Sequence, residues 1–96
     1  MTVQVLGCIK LKDGSAFAIY RSKVGATIEQ FGGKVVFRGE LADVFWNDLN
    51  CGGFDCFVQI EFPDLLSAKN WAISAEYATL LEVRHRAMDL TLFTVQ

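Results

Sequence analysis

The feature that most restricts this chain is a hydrophobic period that switches from two to about three and a half and back, more than once along its length. From Val3 to Leu11 the odd positions Val3, Val5, Gly7, Ile9 and Leu11 are apolar or small, and Gln4, Cys8, Lys10 and Lys12 take most even ones. That is the pattern of a strand with one buried face. Asp13-Gly14 then supplies a turn, and Ser15 caps a helix in which Phe17, Tyr20, Val24, Ile28 and Phe31 recur at spacings of three and four. Gly32-Gly33 stops this helix by admitting left-handed backbone.

Lys34 to Arg38 restarts the chain in extended form. Gly39 permits a bulge or bend, and Asp43-Val44-Phe45-Trp46 continues the same ribbon before a polar, glycine-containing connection from Asn47 to Gly53. Cys56, Val58, Ile60 and Phe62 alternate with Phe57, Gln59 and Glu61 up to Pro63, which ends the strand. Asp64 caps a helix through Leu65, Ala68, Trp71 and Ala72. Ser74 starts a further segment carrying Tyr77, Leu80, Leu81 and Arg84, either a second helix or the far arm of one kinked helix. Asp89 to Val95 alternates once more, with Leu90 and Leu92 opposite Thr91, Phe93 and Val95.

The order strand, helix, strand, strand, helix, strand predicts an α+β, ferredoxin-like βαββαβ sandwich: a four-stranded antiparallel sheet with the helices on one face. With 96 residues and no Pro/Ser-rich or charge-rich divider, residues 1–96 read as a single domain. The other sheet face carries Phe57, Gln59, Glu61, Arg38 and Cys8, too apolar in part to be purely solvated. The apolar share of 52% also exceeds what the core of a small monomer uses, so a homodimer with two sheets packed together is expected.

A net charge of −2 and one short basic cluster, Arg84-His85-Arg86, provide no footprint for nucleic acid or an anionic membrane. The apolar runs are too short for a membrane span and the N-terminus lacks the basic region and apolar core of a signal segment, so a cytoplasmic location is expected. Cys8, Cys51 and Cys56 are odd in number and not spaced as metal ligands, which fits reduced thiols. A redox link between Cys51 and Cys56 across Gly52-Gly53 is the alternative.

Phe31-Gly32-Gly33-Lys34, Arg38-Gly39, Ile60-Glu61-Phe62-Pro63, Trp71, Ser74-Ala75-Glu76-Tyr77 and Arg84 together resemble the domain-of-unknown-function 1330 family of the dimeric α/β-barrel superfamily, in order and spacing over nearly the whole chain. The resemblance implies a ferredoxin-like dimer. Relatives in the wider superfamily include cofactor-free monooxygenases of aromatic polyketides, lactone isomerases, haem-degrading enzymes and proteins without assigned activity, so it implies no single reaction.

The residues offer a few constellations of their own. Tyr77, Leu81 and Arg84 share one helix face, and Arg84 either presents its guanidinium to a carboxylate or enolate ligand or pairs with a strand carboxylate such as Glu61. Arg38, on an otherwise apolar strand, needs Glu61 or a bound anion. Trp71, Tyr77, Tyr20 and Phe17 either line an aromatic pocket or are plain core. His85, the only histidine, is suited to move protons near neutral pH or to sit solvated at a helix end. The expected site therefore has His85 and Tyr77 as proton-moving groups and Arg38, Arg84, Trp71 and Tyr20 as binding groups for a small aromatic or enolisable anion. Oxygenation or isomerisation would suit it; the alternative is a non-catalytic ligand-binding or structural dimer. No metal spacing, phosphate loop or dinucleotide fingerprint occurs, and no cofactor is expected.

Overall fold

The computed structural model describes residues 2–96. Strands β1 (Val3–Leu11), β2 (Lys34–Glu40), β3 (Cys56–Phe62) and β4 (Met88–Val95) form one sheet in the order β2-β3-β1-β4. Every neighbouring pair is antiparallel. Helix α1 (Gly14–Gln30) connects β1 to β2, and three short helices, α2 (Leu65–Ala72), α3 (Ala75–Ala78) and α4 (Leu81–Ala87), connect β3 to β4. This is the ferredoxin-like α+β arrangement, with the second helix broken into three pieces.

Side-chain caps start α1, α2 and α3, whereas α4 begins without one. Asp13, rather than Ser15, caps α1: its carboxylate accepts from the Ser15 and Ala16 amides at 2.9 and 3.2 Å. Asp64 accepts from the Ser67 amide at 2.7 Å at the start of α2, and Ser74 Oγ accepts from the Tyr77 amide at 3.0 Å at the start of α3. Past α1, Gly32 takes φ 80°, a conformation only glycine adopts without strain.

The alternation in each strand divides the sheet as the periodicity implies. Val3, Val5 and Ile9 of β1, Ile60 and Phe62 of β3 and Met88 of β4 are buried against Ala16, Tyr20, Val24 and Ile28 of α1 and against Trp71, Tyr77 and Leu80. The opposite face carries Gln4, Leu6 and Cys8 beside Phe57, Gln59, Glu61 and Phe93. There Gln59 Nε2 donates to Gln4 Oε1 at 2.9 Å, Gln4 Nε2 donates to Glu61 Oε1 at 3.1 Å, and Lys34 Nζ stands 3.5 Å from Glu61 Oε2.

Two segments depart from the sequence expectation. Asp43 to Trp46 does not extend β2; residues 41–55 form a loop tied at its end by Asp55, which accepts from the Leu11 amide through its carboxylate (2.8 Å) and from the Leu41 amide through its carbonyl (2.8 Å). Arg38 is not on the open face. Val35 pairs with Ile60 and Phe37 with Gln59, so Val36 is an extra residue, a β-bulge. It moves Phe37 outward and turns Arg38, opposite Val58, toward α1.

Gly33 is buried where a Cβ would stand 2.6 Å from Phe62 Cε1 and 2.8 Å from Ile28 Cγ2. Gly33→Ala should lower stability by about 1–3 kcal/mol through overpacking, read as an earlier urea midpoint with an unchanged slope.

Candidate functional site

The helix layer covers the sheet unevenly. At one end Phe62, Trp71 and Tyr77 stack with ring centroids 5.5 and 4.7 Å apart, and Trp71 Nε1 donates to Thr27 Oγ1 of α1 at 3.0 Å. Toward the other end α1 stands off the sheet, leaving a cavity of about 400 Å³. Val58, Leu90 and Leu92 are only half-buried although they face the helices, because they wall this space. Ile28, Ile60, Trp71 and Tyr20 close its inner end, while the exposed Leu11, Arg21, Arg38 and Glu40 mark its mouth. The size and apolar lining suit a small flat molecule.

One polar chain reaches the wall. Tyr20 and Tyr77 hydroxyls are 2.8 Å apart with their rings edge to face, and Arg84 Nη1 donates to Tyr77 Oη at 3.0 Å. The Arg84 guanidinium also lies 5.7 Å from the Tyr77 ring centroid. A guanidinium only donates, so Tyr77 Oη accepts from it. Tyr77 is buried, and its own hydroxyl hydrogen is satisfied when donated to Tyr20. The Tyr20 hydrogen is then the one left to offer to an occupant of the cavity. Burial, then the neighbouring Tyr77, pushes the Tyr20 phenol well above the ordinary tyrosine value, so this group stays neutral.

Of the site residues singled out in the sequence, Phe17, Tyr20, Trp71 and Arg38 line the cavity. Tyr77 and Arg84 stand behind Tyr20 and do not line it. Arg84 does not meet Glu61, which belongs to the opposite face with Gln4 and Lys34; α4 packs on α1 rather than on the sheet, so the helix arginine finds a phenol instead. His85 is exposed, its Nε2 3.4 Å from Arg84 Nη2, and is outside the lining.

Sequence reasoning passed over Arg21. It lines the mouth, and its guanidinium carbon lies 5.7 Å from the centroid of the Phe17 ring. The available signal was the spacing of four between Phe17 and Arg21, beside Tyr20. Burial, then Arg21 nearby, lowers the Arg38 pKa from its ordinary value, though a guanidinium remains charged at any physiological pH. Cys56, at the cavity wall, is pushed up by burial and by Asp55 and Glu40, which makes it a poor nucleophile. All three cysteines are free. Among the described residues no helix is long and apolar enough to cross a membrane, and no three His, Cys, Asp or Glu side chains gather as a metal site.

The profile of the family described as Domain of unknown function (DUF1330) matches residues 3–96. No curated protein sequence matches the chain. Among solved structures it is similar to the RPA0582 protein of Rhodopseudomonas palustris, at 20% identity and TM-score 0.80 over 98% of this chain and 80% of that one. SnoaB, a cofactor-independent oxygenase from Streptomyces nogalater, shows TM-score 0.69 at 9% identity over 99% of this chain and 91% of that one. A dimeric protein with a ferredoxin-like fold from Bacteroides fragilis shows TM-score 0.59 at 13% identity over 99% of this chain and 95% of that one. At these identities the likeness is one of fold.

Two measurements check this geometry. Arg84→Ala should cost roughly 1–3 kcal/mol, couple strongly to Tyr77→Phe and add independently to Glu61→Gln in double-mutant cycles. The folded state holds the Tyr20 proton at a pH where an unfolded tyrosine, with a pKa of about 10, has lost it. Stability should therefore fall as pH rises past about 10, and the fall should be shallower in Tyr20→Phe than in the parent, read from denaturation midpoints.

Proposed function

The chain belongs to the family described as Domain of unknown function (DUF1330), and from this footing we propose that its cavity binds a small, flat, mostly apolar molecule carrying a carbonyl or enolate oxygen. The observation that carries the reading is the place of Tyr20 at the end of the Arg84–Tyr77–Tyr20 chain, in the lining of a largely apolar cavity; with Arg84 donating to Tyr77 and Tyr77 donating on, the Tyr20 hydrogen is the one left for an occupant. Negative charge developing on oxygen in such a dry space is stabilised by a fixed neutral donor more strongly than it would be in water.

Chemistry of this kind passes through an enolate. Isomerisation moves one proton between two carbons of the substrate with no net redox change; oxygenation of the same enolate at a methylene carbon uses dioxygen as second substrate and oxidant, one oxygen atom entering the product as a carbonyl and the other leaving as water with the two methylene hydrogens. Tyr20 and Trp71 contact the substrate, Arg38 meets its anionic end, and Tyr77 and Arg84 position Tyr20. His85 is exposed beside Arg84 and outside the cavity lining. A neutral tyrosine does not remove a carbon-bound proton, so the substrate must be acidic enough to lose that proton to water, as an aromatic polyketone or β-dicarbonyl compound is. The second reading, non-catalytic binding of the same class of ligand, is favoured by His85 standing outside the cavity.

The active assembly in this proposal is a homodimer with a second copy over the open face. Phe45, Trp46 and Leu49 in the 41–55 loop are 82%, 84% and 89% exposed, and Phe37 and Phe93 stand out from the sheet. Apolar side chains in such number on one side are covered in a stable soluble protein. Light scattering at micromolar concentration should yield twice the 10.7 kDa chain mass. Phe93→Glu should return it to one chain mass with the helix-side core intact.

Tyr20→Phe is the direct test of the site. It should leave the fold stable to within about 1–2 kcal/mol, and reduce turnover of an enolisable aromatic ketone roughly 100-fold or more if the donor stabilises the transition state. Unchanged binding and no turnover by the parent protein would support the non-catalytic reading. Failure of the parent to bind any flat ketone would remove both.

A further inference from the structure

The mouth of the cavity carries two arginines from different elements. Arg21 comes from the exposed side of α1 and Arg38 from β2, turned inward by the bulge at Val36. Among the described residues neither has a carboxylate within ion-pair distance, although three other groups, Glu40, Tyr20 and Cys56, share the same lining. Two like charges brought to one rim repel each other, and the repulsion is relieved when an anion sits between them. The Arg21 guanidinium carbon lies 5.7 Å from the Phe17 ring centroid, a contact that favours this side chain staying at the mouth.

We propose that Arg21 and Arg38 form a two-armed clamp for a carboxylate, so that the natural occupants of this cavity are aromatic or polycyclic carboxylic acids whose charged end stays at the mouth. The proposal deepens the reading of the cavity as a small-molecule site and rests on it. Two guanidiniums opposed by the Glu40 carboxylate leave a formal charge of about +1 at the rim, which matches a monoanion better than a phosphate dianion. Planar guanidinium forks also fit the two oxygens of a carboxylate. The apolar body of such a ligand then lies along Val58, Leu90 and Leu92 toward Trp71, and an oxygen on its far ring reaches Tyr20. Direction of binding follows: the acid enters body first, and its carboxylate never has to be stripped of water in the interior.

The test uses three probes of one shape, 2-naphthoate, neutral 2-naphthamide and 2-naphthyl phosphate, titrated calorimetrically into the parent protein and into Arg21→Gln, Arg38→Gln and the double variant. Both arginines are solvent-exposed, so the variants should fold, and circular dichroism with thermal melting verifies it. Naphthoate should bind at least tenfold tighter than the amide. Each single variant should lose roughly tenfold for naphthoate and almost nothing for the amide, and added salt should weaken the acid alone. Equal affinity for acid and amide, or loss of both to the same extent in the variants, would overturn the clamp while leaving the cavity a binding site. Tighter binding of the phosphate than of the carboxylate would overturn the monoanion assignment. Binding of none of the three probes would sink the clamp together with the site reading beneath it.

Discussion

Trp71 is the contact from which the rest of the molecule takes its geometry. Its ring lies between Phe62 at the end of β3 and Tyr77 of α3, and its indole nitrogen donates to Thr27 of α1. One side chain thereby ties the strand, the long helix and the broken second helix together, and it satisfies its only polar atom in doing so. Because this junction fixes one end of α1 against the sheet, and side chains do not fill the wedge beyond it, a cavity remains toward the other end. The cavity is a consequence of where the aromatic stack sits rather than a separate construction.

Polarity in the cavity is graded. Deep inside, the polar groups are the neutral Tyr20 phenol and Trp71, whose indole is already engaged; at the mouth stand Arg21, Arg38 and Glu40. Such a gradient keeps charge where water can still reach it and leaves a directed hydrogen bond in the dry interior, the arrangement that costs least in desolvation. Arg84 acts at a distance from this space, through Tyr77, and its half-buried guanidinium is satisfied by a phenol oxygen and a ring face instead of a carboxylate. In the proposed dimer, the Gln59–Gln4–Glu61 chain on the open face would pass beneath the partner with its hydrogen bonds already made. Its burial would then leave few unpaired polar atoms, and Leu6, Phe57 and Phe93 would supply the apolar contact.

What could be read from the sequence was whatever is encoded within a few residues. Strand and helix periods, the Asp64 and Ser74 caps, the stop at Gly32 and the break at Pro63 are local, and the βαββαβ order follows from them together with the connection rules for such units. Tyr77 and Arg84 were legible as neighbours because a spacing of seven returns to the same helical side, and they meet even though the helix is interrupted between them. What tertiary structure decided were the contacts between elements. A single inserted residue, Val36, reverses which side of β2 Arg38 and Phe37 occupy, and a bulge is visible only against the partner strand. The seating of α4 on α1 gave Arg84 a tyrosine in place of Glu61 and left His85 in solvent, and the packing of α1 over the sheet brought Arg21 to the same cavity mouth as Arg38 of β2. Periodicity assigns a residue to a face; only the packing of faces against one another determines which charges meet.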